Sequence, residues 1–254
     1  NKQTVQQELD QLQSLIMLVE TYEIIAGTSV RRIRNSVLAN RAFHVGLNRM
    51  FREIATAYSK EVGHVMKKNK ITARGSGVSV IKRTKPTVFM FLSANTGLYG
   101  DVINRIFIAF LTEIKRTKGD VIIVGRMGKI LFEDTMPGSP FTYFDFPDAK
   151  ISEDALKHIS KYLAQFGEVV VFNGSFKSIL TQIPVYYSVS GSARSSETDN
   201  AAPADQYRFE PALADIFIFF ETEIFASLLE QVFHESRLAK LASRLGAALC
   251  LPAQ

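Results

Sequence analysis

A chain of 254 residues, 46% hydrophobic and 22% charged, can bury a sizeable core as one domain or as one domain with an appendage. Its lone Cys250 excludes an internal disulfide framework and fits a reducing compartment, and no apolar run approaches the ~20 residues needed to span a bilayer. The net charge of +5 is uneven: residues 1–85 hold 15 Lys/Arg against 6 Asp/Glu, and residues 86–254 hold 15 against 19. A basic N-terminal part favours an acidic protein surface, nucleic acid or anionic lipid, without choosing among them.

The chain opens on "NKQTVQQELDQLQ", polar and amphipathic, with no signal-peptide core, and reads as a soluble protein. From Thr4 to Lys67 there is no proline, and apolar residues recur at three and four: Val5, Leu9, Leu12, Ile16, Val19, then Ile33, Val37, then Leu47, Phe51, Ile54, Tyr58, Val62, Val65. That stripe predicts a helix of unusual length, which needs a second long helix to cover it. Ala26-Gly27 and Gly46 are read as places where the paired helix comes close. Residues 68–86 are a basic loop, with a short strand at Val78–Ile81.

An α/β stretch follows. Thr87–Leu92 reads as a strand, Asp101–Thr117 as a helix, "GDVIIVG" (119–125) as a buried strand and "KILFED" (129–134) as a third strand. Ser152–Phe166 is an amphipathic helix, and "EVVVFNGSF" (168–176) with "SILTQIPVYYSV" (178–189) are strands able to form a hairpin. The β-α-β order predicts a partly parallel sheet flanked by helices. Residues 190–206 are polar and small, the pattern of a mobile loop. A last helix runs from Glu210-Pro211 to about Leu245, with Phe217, Phe220, Ile224, Leu228, Val232, Leu238 and Leu241 on one stripe. Phe217, Phe219, Phe220 and Phe225 are read as core. Antiparallel pairing of the two terminal helices would bury both stripes. The expected fold is therefore α+β: a coiled coil of terminal helices (1–67 and 207–254) and a Rossmann-like module over 68–206.

The strand-turn-helix "FLSANTGLYGDVINRIF" (91–107) has the layout of a phosphate cradle. Its glycines, Gly97 and Gly100, lack the G-x-G-x-x-G spacing of a dinucleotide turn, and Asp101 stands where the phosphate would go. "GRMGK" (125–129) fails as a Walker A loop, with Ile123 in place of the first glycine and Ile130 after the lysine. No G-x-S-x-G elbow is present, Cys250 has no histidine within a plausible loop, and His44, His64, His158 and His234 do not cluster. No catalytic, cofactor or metal residue is expected.

Five stretches in order resemble the gamma subunit of F-type ATP synthases, the central rotor shaft. "ETYEIIAGTSVRRIRNSV" (20–37) is similar to the family's N-helix, with Glu23 and Ala26 in register and Arg31-Arg32 on its basic pair. "FLSANTGLYGDVINRIF" carries the G-L-x-G, as Gly97, Leu98 and Gly100. "DVIIVGRMGKILF" (120–132) matches the V-G-x-x-G strand and turn. "VVFNGSFKSILTQIP" (170–184) is similar to the Y-N-x-F-x-S stretch, with one extra residue between Asn173 and Phe176 and Ile183 separating Gln182 from Pro184. "YRFEP" (207–211) resembles the Y-x-Y-E-P before the last helix. The chain departs from the pattern at Ser29 and Ile103, where the family has a basic residue and an asparagine. "RLGAALCLPAQ" lacks the family's C-terminal signature, which implies a short shaft or a truncated sequence.

The resemblance implies a rotor without an active site or cofactor of its own, linking a membrane ring to a catalytic hexamer while ATP is made or hydrolysed. It implies alpha and beta subunits, an epsilon-type subunit and the membrane c-ring as partners. Its place would be peripheral, on the cytoplasmic face of a bacterial inner membrane or the matrix or stroma side of an organelle membrane. Glu23, Ile24, Arg31, Arg32 and Arg34 would face acidic levers of the catalytic subunits, and Tyr207 and Glu210 the polar loops of the ring. As rivals, a nucleotide-dependent enzyme would need the glycine spacing that fails, and another assembly could reuse the fold. A nucleic-acid-binding scaffold is not expected, because no stacking aromatics interleave the basic residues of the helix.

Overall fold

The computed structural model describes residues 2–57, 85–97, 99–148, 152–189 and 213–249. The expected short strand at Val78–Ile81 and the loop at 190–206 lie outside them, as does the predicted N-terminal helix beyond residue 57. Helix α1 spans Lys2–Ala57, without a proline to interrupt it. After it come β1 (Lys85–Leu92), α2 (Val102–Arg116), β2 (Asp120–Val124), α3 (Arg126–Thr135), β3 (Thr142–Phe144), α4 (Glu153–Leu163), β4 (Phe166–Phe176), β5 (Gln182–Ser188) and α5 (Leu213–Leu249).

The described strands form one five-stranded sheet in the order β3-β2-β1-β4-β5. β1 is parallel to β2 and β4, β2 is parallel to β3, and β4 with β5 forms the antiparallel pair expected for a hairpin. Because β1 is covered on both faces, it reads as a continuous apolar run rather than an alternation. Met90 and Leu92 point into a core with Ile159 and Leu163 of α4 and Phe225, Leu229 and Phe233 of α5. Phe89 and Phe91 point into the other, against Ile106, Phe107 and Phe110 of α2 and Phe132 of α3. Aromatic rings fill this second layer: Phe110 stacks on Phe91 at 5.4 Å and meets Phe172 edge-on at 5.5 Å.

One strand assignment is corrected. Residues 129–134 are helical, because Gly125 turns the chain out of β2 with φ +95° and the run after it has helical spacing. Gly128 and Phe132, one turn apart, are buried, and Lys129 faces Glu133 at 3.9 Å. The third parallel strand is instead "TYF" (142–144), too short to carry a period.

The terminal helices meet where Ile33 and Val37 of α1 are buried with Leu238 of α5, beside Val30, Phe176 and Leu241. The expected burial of the whole α1 stripe is not met: Val5, Leu9, Leu12 and Ile16 are exposed. Within the described residues α5 reaches only 11 residues past Leu238, so it can lie beside no more than that length of α1, whereas Val5 is 28 residues back from Ile33. Nor does a helix among the described residues approach closely at the α1 glycines, as a Cβ at Gly27 or Gly46 would meet none of their atoms within 4 Å. Of the phenylalanines read as core, Phe220 and Phe225 are buried and Phe219 is exposed. Phe219 lies about 100° from Phe220 on the side away from Glu221, Ile224 and Phe225, which are buried with Phe220, so it falls outside the buried arc of α5. The Phe217 side chain lies outside the described residues.

Candidate functional site

The turn after β1 sits at the carboxyl end of the central strand, where an open α/β sheet ordinarily places a ligand. Its backbone is tied into the sheet: Ser93 donates its N–H to Val124 at 2.9 Å, and Ala94 accepts from Met127 at 2.8 Å. The Asn95 side chain accepts from the Arg126 N–H at 2.8 Å and donates to Asp145 at 2.6 Å and to the Phe146 carbonyl at 3.1 Å. Gly125, at the start of α3, allows this crossing, because a Cβ there would lie 2.9 Å from the Ala94 backbone.

The amides that would cradle a phosphate hold a side chain of the same protein. Asp148 Oδ2 accepts from the N–H groups of Asn95 and Thr96 at 2.8 and 3.0 Å, and from the Thr96 hydroxyl at 3.2 Å. The predicted blocking residue, Asp101, instead turns along the helix surface to Arg105 at 3.0 Å.

The carbonyls of the same turn are held from the other side by α5. Lys240 Nζ donates to the Ser93 carbonyl at 2.7 Å, Ser243 Oγ to the Tyr99 carbonyl at 2.7 Å, and Arg244 Nη2 to the Gly97 carbonyl at 3.2 Å. These three positions, spaced i, i+3 and i+4, form one row on the helix. The Arg244 guanidinium also lies 4.1 Å from the Tyr99 ring centre, a cation–π contact. Gly100 completes the fit: at φ +59°, a Cβ would stand 2.8 Å from Ser243 Oγ.

Lys240 and Asp148 face each other at 3.8 Å, both largely buried. Burial pushes the Lys240 ammonium down to about 8, against the pull of Asp148 and with a further push from Arg237. Burial likewise raises the Tyr99 phenol. A cavity of about 20 Å³ lies beside them, lined by Ser93, Asp148, Ser236 and Lys240 among others. The hydroxyls of Ser93 and Ser236 are buried there with no hydrogen-bond partner among the described residues.

A second concavity, about 1130 Å³, opens between α1, α4 and α5, with Arg32, Lys157, Lys161, Glu230 and His234 on its walls. His234 lies 3.6 Å from Glu230, and burial holds its imidazole below the usual range. Among the described residues no His, Cys, Asp and Glu cluster has the arrangement of a metal site.

A family model described as ATP synthase matches residues 1–248. The chain belongs to the F1 gamma family of ATP synthases. Its role is that of the central-stalk rotor. Its fold is similar to that in the Tetrahymena thermophila mitochondrial ATP synthase central stalk/c-ring structure, with TM-score 0.61 and 16% identity over 91% of this chain and 98% of that one. Two Euglena gracilis mitochondrial ATP synthase structures, a rotor in rotational state 1 and an OSCP/F1/c-ring assembly in rotational state 3, align at TM-scores of 0.47 and 0.49. Their identities are 12% and 10%, over 88% of this chain in each case and 90% and 82% of theirs. No curated protein matches the sequence.

The sequence-predicted contact residues are spread over the chain. Ile24, Arg32 and Arg34 are exposed on α1, and Arg32 reaches the large concavity. Glu23 and Arg31 lie on the same helix, with their side chains outside the described residues, as are Tyr207 and Glu210 altogether. Sequence reasoning missed the row on α5. Its signal was available: Lys240, Ser243 and Arg244 are polar at helical spacing within an apolar stripe. Asp148 carried none, because its partners are more than 50 residues away.

Proposed function

We propose that this chain transmits rotation between a membrane ion-translocating ring and a catalytic alpha/beta hexamer, with no catalytic site or cofactor of its own. The observation that carries this reading is the family match over nearly the whole chain. The turn most like a nucleotide site supports it, since its amides are taken up by Asp148 and its carbonyls by α5. In this reading residues 1–67 and 207–254 form an antiparallel coiled-coil shaft, and 68–206 the α/β module at its side. The α1 segment with Glu23, Ile24, Arg31, Arg32 and Arg34 faces acidic levers of the catalytic subunits, for which Arg suits bidentate carboxylate contacts. Tyr207 and Glu210 stand at the foot, toward the membrane ring, with an epsilon-type subunit alongside. The exposed apolar side chains Val5, Leu9, Leu12 and Ile16 fit a shaft end enclosed by other subunits. No helix among the described residues is long and apolar enough to cross a membrane, so attachment through the complex is the proposed arrangement.

A pull-down of the tagged chain near physiological salt, followed by mass spectrometry, tests the assignment. Recovery of an alpha/beta hexamer with a small epsilon-type partner is expected; recovery of nucleic acid, or of neither, would overturn it. Charge reversal at Arg32 and Arg34 then tests the contact face, with slower ATP turnover by the assembled complex as the expected result.

A further inference from the structure

We propose that Lys240, Ser243 and Arg244, with Asp148 behind the turn they grip, form the fixed joint through which a twisting load on α5 passes to the α/β module. The inference rests on the rotor reading and assigns positioning residues within it.

Much of the contact between α5 and the sheet is apolar, through Phe225, Leu229, Val232 and Phe233. Apolar burial is non-directional, so such a surface holds two bodies together through shape fit and not through bonds of fixed length and angle. Hydrogen bonds have preferred lengths and angles, and charge-assisted ones are the strongest. Three of them grip one turn near the carboxyl end of α5, Lys240 to Ser93, Ser243 to Tyr99 and Arg244 to Gly97, while Tyr187 of β5 donates to Glu235 further back at 3.3 Å. Lys240 and Arg244 sit about 6 Å apart along the helix axis, so the row opposes axial slip as well as rotation.

Beyond the row, the load path is short. The gripped turn is bonded to β2 and α3 through Ser93, Ala94 and Asn95, and its amides are held by Asp148. A second loop braces the same end of the helix, since a Cβ at Gly246 would meet the Ile179 carbonyl at 2.7 Å. The α5 end is therefore held by the turn after β1 and by the turn between β4 and β5.

The test uses the assembled complex in inverted membrane vesicles, with ATP hydrolysis and ion pumping measured on the same sample. In Lys240→Met/Arg244→Met, hydrolysis is expected to persist while ions moved per ATP fall by half or more. Exchange of the Asn95 and Thr96 amides is expected to quicken roughly tenfold, as their anchor loosens. Lys240→Arg, which keeps a buried cation, is expected to restore part of the coupling. A double variant that assembles and pumps like wild type would overturn the joint.

Ser243→Ala tests the same joint without removing a charge, since it loses only the hydroxyl that donates to the Tyr99 carbonyl. Ions moved per ATP are expected to fall below wild type while hydrolysis persists, and wild-type coupling in this variant would overturn the proposal. Failure of the wild-type chain to recover the hexamer is a different outcome, which removes the rotor reading itself.

Discussion

Replacing Lys240 with Met exposes the electrostatics of the seam through a pH dependence whose sign is set by burial. In the folded chain the ammonium loses its proton near pH 8, against 10.5 ordinarily, chiefly because burial disfavours the charge. Each tenfold change in proton affinity is worth about 1.4 kcal/mol, so the depression corresponds to about 3 kcal/mol. Between pH 8 and 10.5 the unfolded chain keeps this proton and the folded chain has released it, so the Lys240 contribution makes stability rise with pH there. Below pH 8 both states are protonated and the contribution is flat. At neutral pH the variant loses a charge-assisted hydrogen bond worth about 1.5–3 kcal/mol and sheds a buried charge of similar cost. Its midpoint there should change little. The slope is the diagnostic. Urea unfolding followed by far-UV circular dichroism suits a chain without tryptophan. Wild-type stability minus that of Lys240→Met should climb by up to about 3 kcal/mol from pH 8 upward. The Tyr99 phenol, raised by burial, lowers stability above pH 10 in both proteins and drops out of the difference. A difference curve that is flat or falling from pH 8 to 10 would refute the buried-lysine argument.

Three further substitutions probe the packing around the turn, each read as a urea midpoint at neutral pH. Ser236→Ala removes a buried hydroxyl without a partner among the described residues and should stabilise the chain by about 1 kcal/mol; a loss of that size would mean the hydroxyl is satisfied. Gly125→Ala forces a side chain onto φ +95° and to within 2.9 Å of the Ala94 backbone, and should cost about 3 kcal/mol or more. Phe110→Ala empties the centre of an aromatic layer shared with Phe91, Phe132 and Phe172 and should cost about 3–5 kcal/mol.

Much of the fold was legible because it rests on periodicity. The buried strands around Met90, Ile122 and Val171 and the helices over 102–116, 153–163 and 213–249 each announce themselves through apolar spacing. The family was legible through ordered motifs, each weak alone. The errors occurred where periodicity is ambiguous or absent. "KILFED" is a short apolar run in which Gly125 and the packing of Phe132 decide for helix, and "TYF" has no period to read. Phe219 and Phe220 show the limit of a stripe, since composition places both inside while the buried arc of α5 takes in only Phe220.

The candidate site was legible as a shape and not as a set of partners. Sequence alone determined that the turn after β1 lacks the glycine spacing of a nucleotide loop, because that spacing is a local property of neighbouring residues. Only the tertiary structure decided what takes the ligand's place. Asp148 reaches the amides from 52 residues away and Lys240 reaches Ser93 from 147, and contacts so distant in sequence leave no pattern in either segment. They arise from where a parallel sheet leaves its strand ends and from how α5 crosses them.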